Sequence, residues 1–76
     1  MPELLSAGFT YTLTQNITYA LPAVAAYIFG QGATYEISND GTTWQAVTLD
    51  TNKGLLTAAR FIRSTAVASN VTVKRS

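Results

Sequence analysis

Residues 9–14 alternate between a large apolar side chain and threonine, in the order FTYTLT. Successive side chains of a β-strand point to opposite faces. This period of two therefore predicts a half-buried strand with one aromatic face and one hydroxyl face. Extended segments of similar character return between turn signals along the chain, at residues 17–21, 34–38, 43–49, 60–64 and 70–74.

The spacing of these segments predicts the fold class. Six or seven short strands, with a turn about every eight to twelve residues, are typical of an all-β chain folded as a compact antiparallel β-sandwich or barrel. Two segments leave alternatives open. Residues 24–29 are apolar on both faces, which favours a strand covered on both sides over a short helix begun by Pro22. Residues 55–59 fit a short helical turn or a covered loop.

The chain has 76 residues and contains neither cysteine nor histidine. We expect one domain over residues 1–76, with residues 1–8 forming an ordered N-terminal arm or a loose end. A domain this small buries only about 60–65% of its unfolded surface and is usually stapled by disulfides, a metal or another subunit. Without Cys or His, no disulfide can form and structural zinc lacks its usual ligands, so we expect no metal and no cofactor.

Charged residues make up 12% of the chain and hydrophobic residues 47%. That is about half the usual charged share of a soluble domain, so we expect a surface partly covered by neighbouring subunits in a homo-oligomer. A net charge of +1 gives little field to attract a polyanion, so no nucleic-acid partner is expected. The longest apolar run, 20–29, is too short to span a membrane, and the first residues lack the basic region of a signal peptide.

The acidic residues argue against catalysis. A glycosidase needs two carboxylates held across a cleft, one with a raised pKa, and the chain offers only Glu3, Glu36, Asp40 and Asp50. Asp40 stands where aspartate commonly caps a turn, and Glu36 lies on the polar face of a predicted strand. We therefore expect no enzyme activity and no catalytic residue.

Residues 38–44 (SNDGTTW) carry the strongest local signal in the chain. Asp and Gly both tolerate positive φ, so Asp40-Gly41 predicts a tight hairpin. The segment resembles the Asp-box hairpin of sialidase-type propellers (Ser-x-Asp-x-Gly-x-Thr-Trp), although here Gly41 directly follows Asp40 and there is a single copy. In that family the carboxylate holds the turn and the Trp packs beneath it. We interpret Asp40, Gly41 and Trp44 as a structural turn.

Aromatic and basic residues are the candidates for binding. Pairs such as Trp44 with Tyr35, or Tyr19 with Tyr27, could stack on sugar rings, although aromatics in so small a domain mostly form its core. Arginine is enriched at interfaces, and either arginine of the segment 60–63 could instead pair with Asp50 or Glu36. Residues 74–76 are expected to be a solvated tail. The residues expected at a subunit interface are Tyr27, Phe29, Leu55, Leu56, Arg60 and Arg63.

Four segments together resemble small virion proteins of tailed bacteriophages, of the capsid decoration (cement) type: 17–23 (ITYALPA), 35–44 (YEISNDGTTW), 59–65 (ARFIRST) and 71–75 (VTVKR). The resemblance covers the chain from about residue 17 onward. It implies a non-enzymatic subunit that is assembled in the host cytoplasm, often as a homotrimer. Such a subunit binds the major capsid protein on the virion shell and stabilises the shell. Similar hairpins occur in sugar-binding modules, so a carbohydrate-binding or receptor-contact module of a phage tail or fibre is the alternative.

Overall fold

The computed structural model describes residues 3–22, 24–67 and 69–75. The expectations for Met1, Pro2 and Ser76 lie outside these residues. Nine β-strands form the regular structure of the described part of the chain, which contains no helix. They are β1 (Glu3–Leu4), β2 (Phe9–Leu13), β3 (Tyr19–Ala20), β4 (Ala26–Gly30), β5 (Gly32–Ser38), β6 (Gln45–Leu49), β7 (Leu55–Thr57), β8 (Phe61–Ser64) and β9 (Ser69–Arg75).

The strands form two sheets packed as a sandwich. One sheet has five strands in the order β1-β3-β8-β5-β6, and the other has four in the order β2-β9-β4-β7. Every neighbouring pair is antiparallel except β1 and β3, which run parallel with Glu3 beside Tyr19. The predicted all-β sandwich is confirmed, with nine strands rather than six or seven.

The core lies between the sheets and is built from the inward side chains of the alternating strands. Tyr35 of the five-stranded sheet is 1% exposed, and its hydroxyl donates a hydrogen bond to the backbone carbonyl of Asn70 in β9. This bond joins the two sheets through the core. The buried apolar residues are Leu5, Leu13, Tyr19, Leu21, Ala26, Ile28, Tyr35, Leu49, Ala59, Ile62, Val71 and Val73.

Strand β4 corrects one expectation. Residues 24–29 were expected to form a strand covered on both faces, with a helix as the alternative, yet β4 is covered on one face only. Ala26 and Ile28 are buried between the sheets, whereas Tyr27 is exposed and Phe29 is half-buried. No described residues form a layer over the outer side of the four-stranded sheet. The apolar side chains on that side, such as Tyr27, are therefore not covered by another part of the described structure.

Two other segments differ from expectation or resolve an alternative. Residues 55–59, left open between a helical turn and a loop, contain strand β7, which pairs with β4. At the chain start, β1 pairs with β3, the Leu5 N–H donates to the Ala20 carbonyl at 2.9 Å, and the Leu5 side chain is fully buried. Of the segment expected as an arm or a loose end, Glu3 and Leu4 therefore lie in the five-stranded sheet, and Leu5 is bonded beside it.

Candidate functional site

The connection between β5 and β6 is organised by the side chains of Ser38 and Asp40. Asp40 Oδ1 accepts the backbone N–H groups of Thr42 and Thr43, each at 2.8 Å, and the Ser38 hydroxyl at 3.0 Å. The Gly41 N–H donates to Ser38 Oγ at 2.8 Å, and Gly41 itself has a φ of 82°. The two strands form the predicted hairpin, but the prediction of a tight turn is wrong, because six residues, 39–44, connect the strands. The side chains of Ser38 and Asp40 bond the backbone N–H groups of this longer connection.

These hydrogen bonds also change the acidity of Asp40. The N–H of Thr43, followed by the N–H of Thr42 and the hydroxyl of Ser38, holds the pKa of the Asp40 carboxyl well below its usual range. Each donor stabilises the ionised form. A carboxyl with a lowered pKa is a poor general acid near neutral pH, and its acceptor oxygen is already occupied within the loop. The structure thus places Asp40 and Gly41 in a turn-forming role.

The lowered pKa of Asp40 predicts an acid-dependent loss of stability. The pKa is lower in the folded protein than in the unfolded chain, so ionised Asp40 contributes stability above about pH 4, and this contribution is lost progressively as the pH falls further. We expect the fall in melting temperature between pH 7 and pH 3 to be smaller for Asp40→Asn than for the wild type. Glu3→Gln, at an exposed position, removes one carboxylate elsewhere and controls for the change in net charge. Equal falls in the wild type and Asp40→Asn would contradict the assignment.

Trp44, the third turn residue, lies near the outer side of the five-stranded sheet with Arg63 and Glu36. The register between β5 and β8 places Glu36 and Arg63 opposite each other. Arg63 Nε donates a hydrogen bond to Glu36 Oε1 at 2.8 Å. The Arg63 guanidinium carbon is 4.1 Å from the centre of the Trp44 ring, a cation–π contact. The expected pairing of an arginine with Glu36 is thus formed by Arg63. One face of Trp44 is occupied by this guanidinium.

Three of the expected interface residues lie apart from the others: Arg63, on the five-stranded sheet beside Glu36, and also Leu55 and Arg60. Leu55 is half-buried and packs against the core, because it points inward from β7. Arg60 is exposed just before β8, and its backbone bridges two segments. Its N–H donates to the Ser38 carbonyl at 3.0 Å, and its carbonyl accepts the Leu21 N–H at 2.7 Å.

The remaining three expected interface residues lie together on the outer side of the four-stranded sheet. Tyr27 and Phe29 point outward from β4, and Leu56 of β7 stands opposite Tyr27 in the register. Tyr27 is 38% exposed and Leu56 53%. Lys74 of β9 flanks Tyr27 on its other side. We call Tyr27, Phe29, Leu56 and Lys74 the apolar face.

Two contacts order the apolar face. A Cβ on Gly54 would lie 2.7 Å from Phe29 Cζ and 2.9 Å from Tyr27 Cβ, so a residue without a side chain is required where the Phe29 ring crosses the backbone. Lys74 Nζ lies 5.1 Å from the centre of the same ring. Lys74, the last residue of the predicted strand 70–74 and the first of the expected tail, is exposed as expected, but the strand continues to Arg75. Its ammonium group lies over the Phe29 ring.

A cleft of about 400 Å³ opens between β4, β5 and β9. Its walls combine two aromatic residues, Phe29 and Tyr35, with polar residues that include Thr34, Ser69 and Thr72. Thr34 Oγ1 is buried and has no hydrogen-bond partner among the described residues. A cleft with this mixture of apolar and polar walls could hold a small polar ligand.

Within residues 3–22, 24–67 and 69–75, no three acidic side chains come together in a way that could hold a metal ion. The same ranges contain no helix of the length and apolar character needed to cross a membrane.

Comparison with known protein families, with curated proteins and with solved structures finds no significant match to this chain. The expected kinship with phage virion proteins therefore stays a prediction based on the four segments that suggested it.

Proposed function

We propose that this protein is a non-enzymatic structural subunit of a tailed-phage virion. In this proposal it is a capsid decoration protein that binds the assembled shell as a homo-oligomer and stabilises it. The observation that carries the proposal is the apolar face. Tyr27 and Leu56 expose neighbouring large apolar side chains on an outer sheet surface, and the half-buried Phe29 lies beside them. Clustered exposed apolar side chains of this kind mark interaction sites on soluble proteins.

The charges near the apolar face suggest the chemistry of the surface it meets. Lys74 lies within the face, and none of the chain's four acidic residues does. Glu36 is paired with Arg63, while Asp40 and Asp50 accept backbone N–H groups in their own loops. A capsid surface with an apolar centre and a carboxylate opposite Lys74 would complement the face.

The apolar face consists of four residues, so its binding to a single site on the shell is expected to be of modest affinity. A shell repeats the same site many times, and an oligomer that engages several sites at once gains in avidity without any new contact. Ordered residues also reduce the entropy lost on binding, and the contacts of Phe29 with Gly54 and Lys74 hold its ring in place. These features suit a subunit that acts by multivalent attachment.

Leu56→Asp tests this proposal. We expect at least about tenfold weaker co-sedimentation with heads assembled from the major capsid protein of the same phage, because a charge replaces an apolar contact residue. Val67→Asp is the matched control, since Val67 is 76% exposed and lies outside the apolar face. The control should sediment like the wild type. Equal binding by Leu56→Asp and the wild type would remove the apolar face from the proposal.

The cleft beside Tyr35 favours a second candidate function, a carbohydrate-binding module of a phage tail or fibre. Phe29 and the hydroxyl-bearing residues of its walls resemble the lining that sugar sites use, whereas Tyr35 is buried behind them. The distribution of the other aromatics favours assembly: Tyr27 and Phe29 share their surface with Leu56, and Trp44 is covered on one face by Arg63. Binding of a soluble glycan with loss of affinity in Thr34→Val, and no attachment to heads, would favour the carbohydrate module.

A further inference from the structure

Strand β2 lies at the edge of the four-stranded sheet, with β9 as its one neighbouring strand in the described structure. Edge strands present unpaired backbone groups, and soluble proteins usually protect them with charges, proline, bulges or very short length. β2 runs for five residues without charge or proline, and the sequence has no Asp, Glu, Lys or Arg between Glu3 and Glu36. Phe9 at its start is 61% exposed. By these criteria β2 is open to pairing.

The other three sheet edges show more protection. β1 has only two residues, one of which is Glu3, and β7 has three residues and follows Lys53 closely. β6 is uncharged and has five residues, and Asp50 follows it directly. The register shift between Gly32 and Tyr35 lies in its partner β5, where the added residue locally increases the twist of the pair.

We propose that β2 pairs in antiparallel fashion with β2 of a second copy of this chain across a two-fold axis. The two four-stranded sheets then form one continuous sheet of eight strands. This inference rests on the proposed function, which supposes that copies of the chain associate, and it deepens that function by naming the strand through which they do so. The proposed two-fold pairing is an alternative to the trimer that the family resemblance implied.

Symmetry fixes what each residue of β2 meets. When all five residues pair, Tyr11 lies at the axis, Thr10 faces Thr12 of the partner subunit, and Phe9 faces Leu13 of the partner subunit. When a strand pairs with a copy of itself, any charge that it carries lies near the same charge of the partner subunit and is repelled by it. β2 carries no charged residue, so this repulsion is absent. Pairing also covers part of the exposed Phe9 ring.

The outer side of β2 is already arranged as rows of polar side chains. Thr10 Oγ1 and Thr72 Oγ1 are 2.7 Å apart, and Thr12 Oγ1 donates to Asn70 Oδ1 at 2.8 Å. Two-fold pairing places the Thr10 row of one copy beside the Thr12 row of the other. Cross-strand threonine pairs of this type stabilise sheets.

The direction of the axis links this contact to the apolar face. Antiparallel strands side by side in one sheet are related by a two-fold axis perpendicular to the sheet. Both copies therefore turn their outer faces, and with them Tyr27 and Leu56, to the same side. A dimer built this way presents two apolar faces to one surface, which is the arrangement that bivalent attachment requires.

Two charged double variants test the pairing. In Thr10→Lys/Thr12→Lys every lysine on β2 faces a lysine of the partner subunit, and in Thr10→Glu/Thr12→Glu every glutamate faces a glutamate. We expect each variant alone to have the mass of one chain by light scattering at concentrations where the wild type is a dimer, with dimerisation weakened at least about tenfold. An equimolar mixture of the two should recover the dimer, because each lysine then faces a glutamate.

Both variants lose the same threonine hydrogen bonds, to Thr72 and Asn70. If the mixture recovers the dimer, the loss of these bonds cannot be what made each variant monomeric. Circular dichroism checks that each variant is folded. A wild-type monomer, a wild-type trimer, or a mixture that stays monomeric would each overturn the β2 pairing. A trimer that binds phage heads would leave the proposed function standing, whereas a dimer that binds no heads would support the pairing and contradict that function.

Discussion

Tyr35→Ala is expected to lower the free energy of unfolding by about 3–5 kcal/mol, the usual loss when a large aromatic is truncated in a core. Tyr35 is 1% exposed, and its hydroxyl donates to the Asn70 carbonyl across the two sheets. A domain of this length has a total stability of only about 4–11 kcal/mol. The variant should therefore lose much of its folded population.

Urea denaturation followed by circular dichroism measures this change. Tyr27→Ala is the matched control, because the same side chain is removed from an exposed position of β4, and its effect should be far smaller. Tyr35→Phe removes only the hydroxyl and should cost about 1–3 kcal/mol by leaving the Asn70 carbonyl without that donor. If Tyr35→Ala and Tyr27→Ala unfold at the same urea concentration, the core assignment of Tyr35 is wrong.

Gly41→Val should destabilise the fold by about 1–3 kcal/mol, because a β-branched residue resists the φ of 82° that this position adopts. Steric overlap is not the reason. A Cβ on Gly41 would lie 3.6 Å from Phe61 Cε2, an ordinary contact distance. The effect therefore isolates the conformation of the backbone.

Thermal melting compares Gly41→Val with Gly41→Asn. Asparagine adopts positive φ more readily than valine, so Gly41→Asn should retain most of the wild-type melting temperature. Equal losses in the two variants would show that the added side-chain atoms, and not the backbone conformation, decide stability at this turn.

The fold class could be predicted because it depends on local alternation. The pattern at residues 9–14 placed β2 correctly, with Leu13 inward and Thr10 and Thr12 outward. The two-residue strand β1 could not be found this way, since it is defined by pairing with β3 and is too short to show a period. The six-residue connection after Ser38 was missed because its side chains bond the backbone in a way that the Asp-Gly pair alone does not indicate.

The candidate site could be predicted only in part. Tyr27 and Phe29 share a face because they are two residues apart in one strand, which the sequence shows directly. Whether Leu55 or Leu56 joins them depends on the phase of β7 against β4, a non-local property. Arg63 meets Glu36, 27 residues earlier in the chain, through the register of β8 with β5. Lys74 reaches Phe29 for the same kind of reason.

The central position of β9 has a consequence for how the chain folds. β9 lies between β2 and β4, and it is translated after both of them. The four-stranded sheet cannot form before β9 is available, and pairings this distant in sequence close slowly. Until then β2 and β4, neither of which carries a charge, lack the strand that joins them. We therefore expect a chain that lacks β9 to expose both strands and to aggregate more readily than the full-length protein.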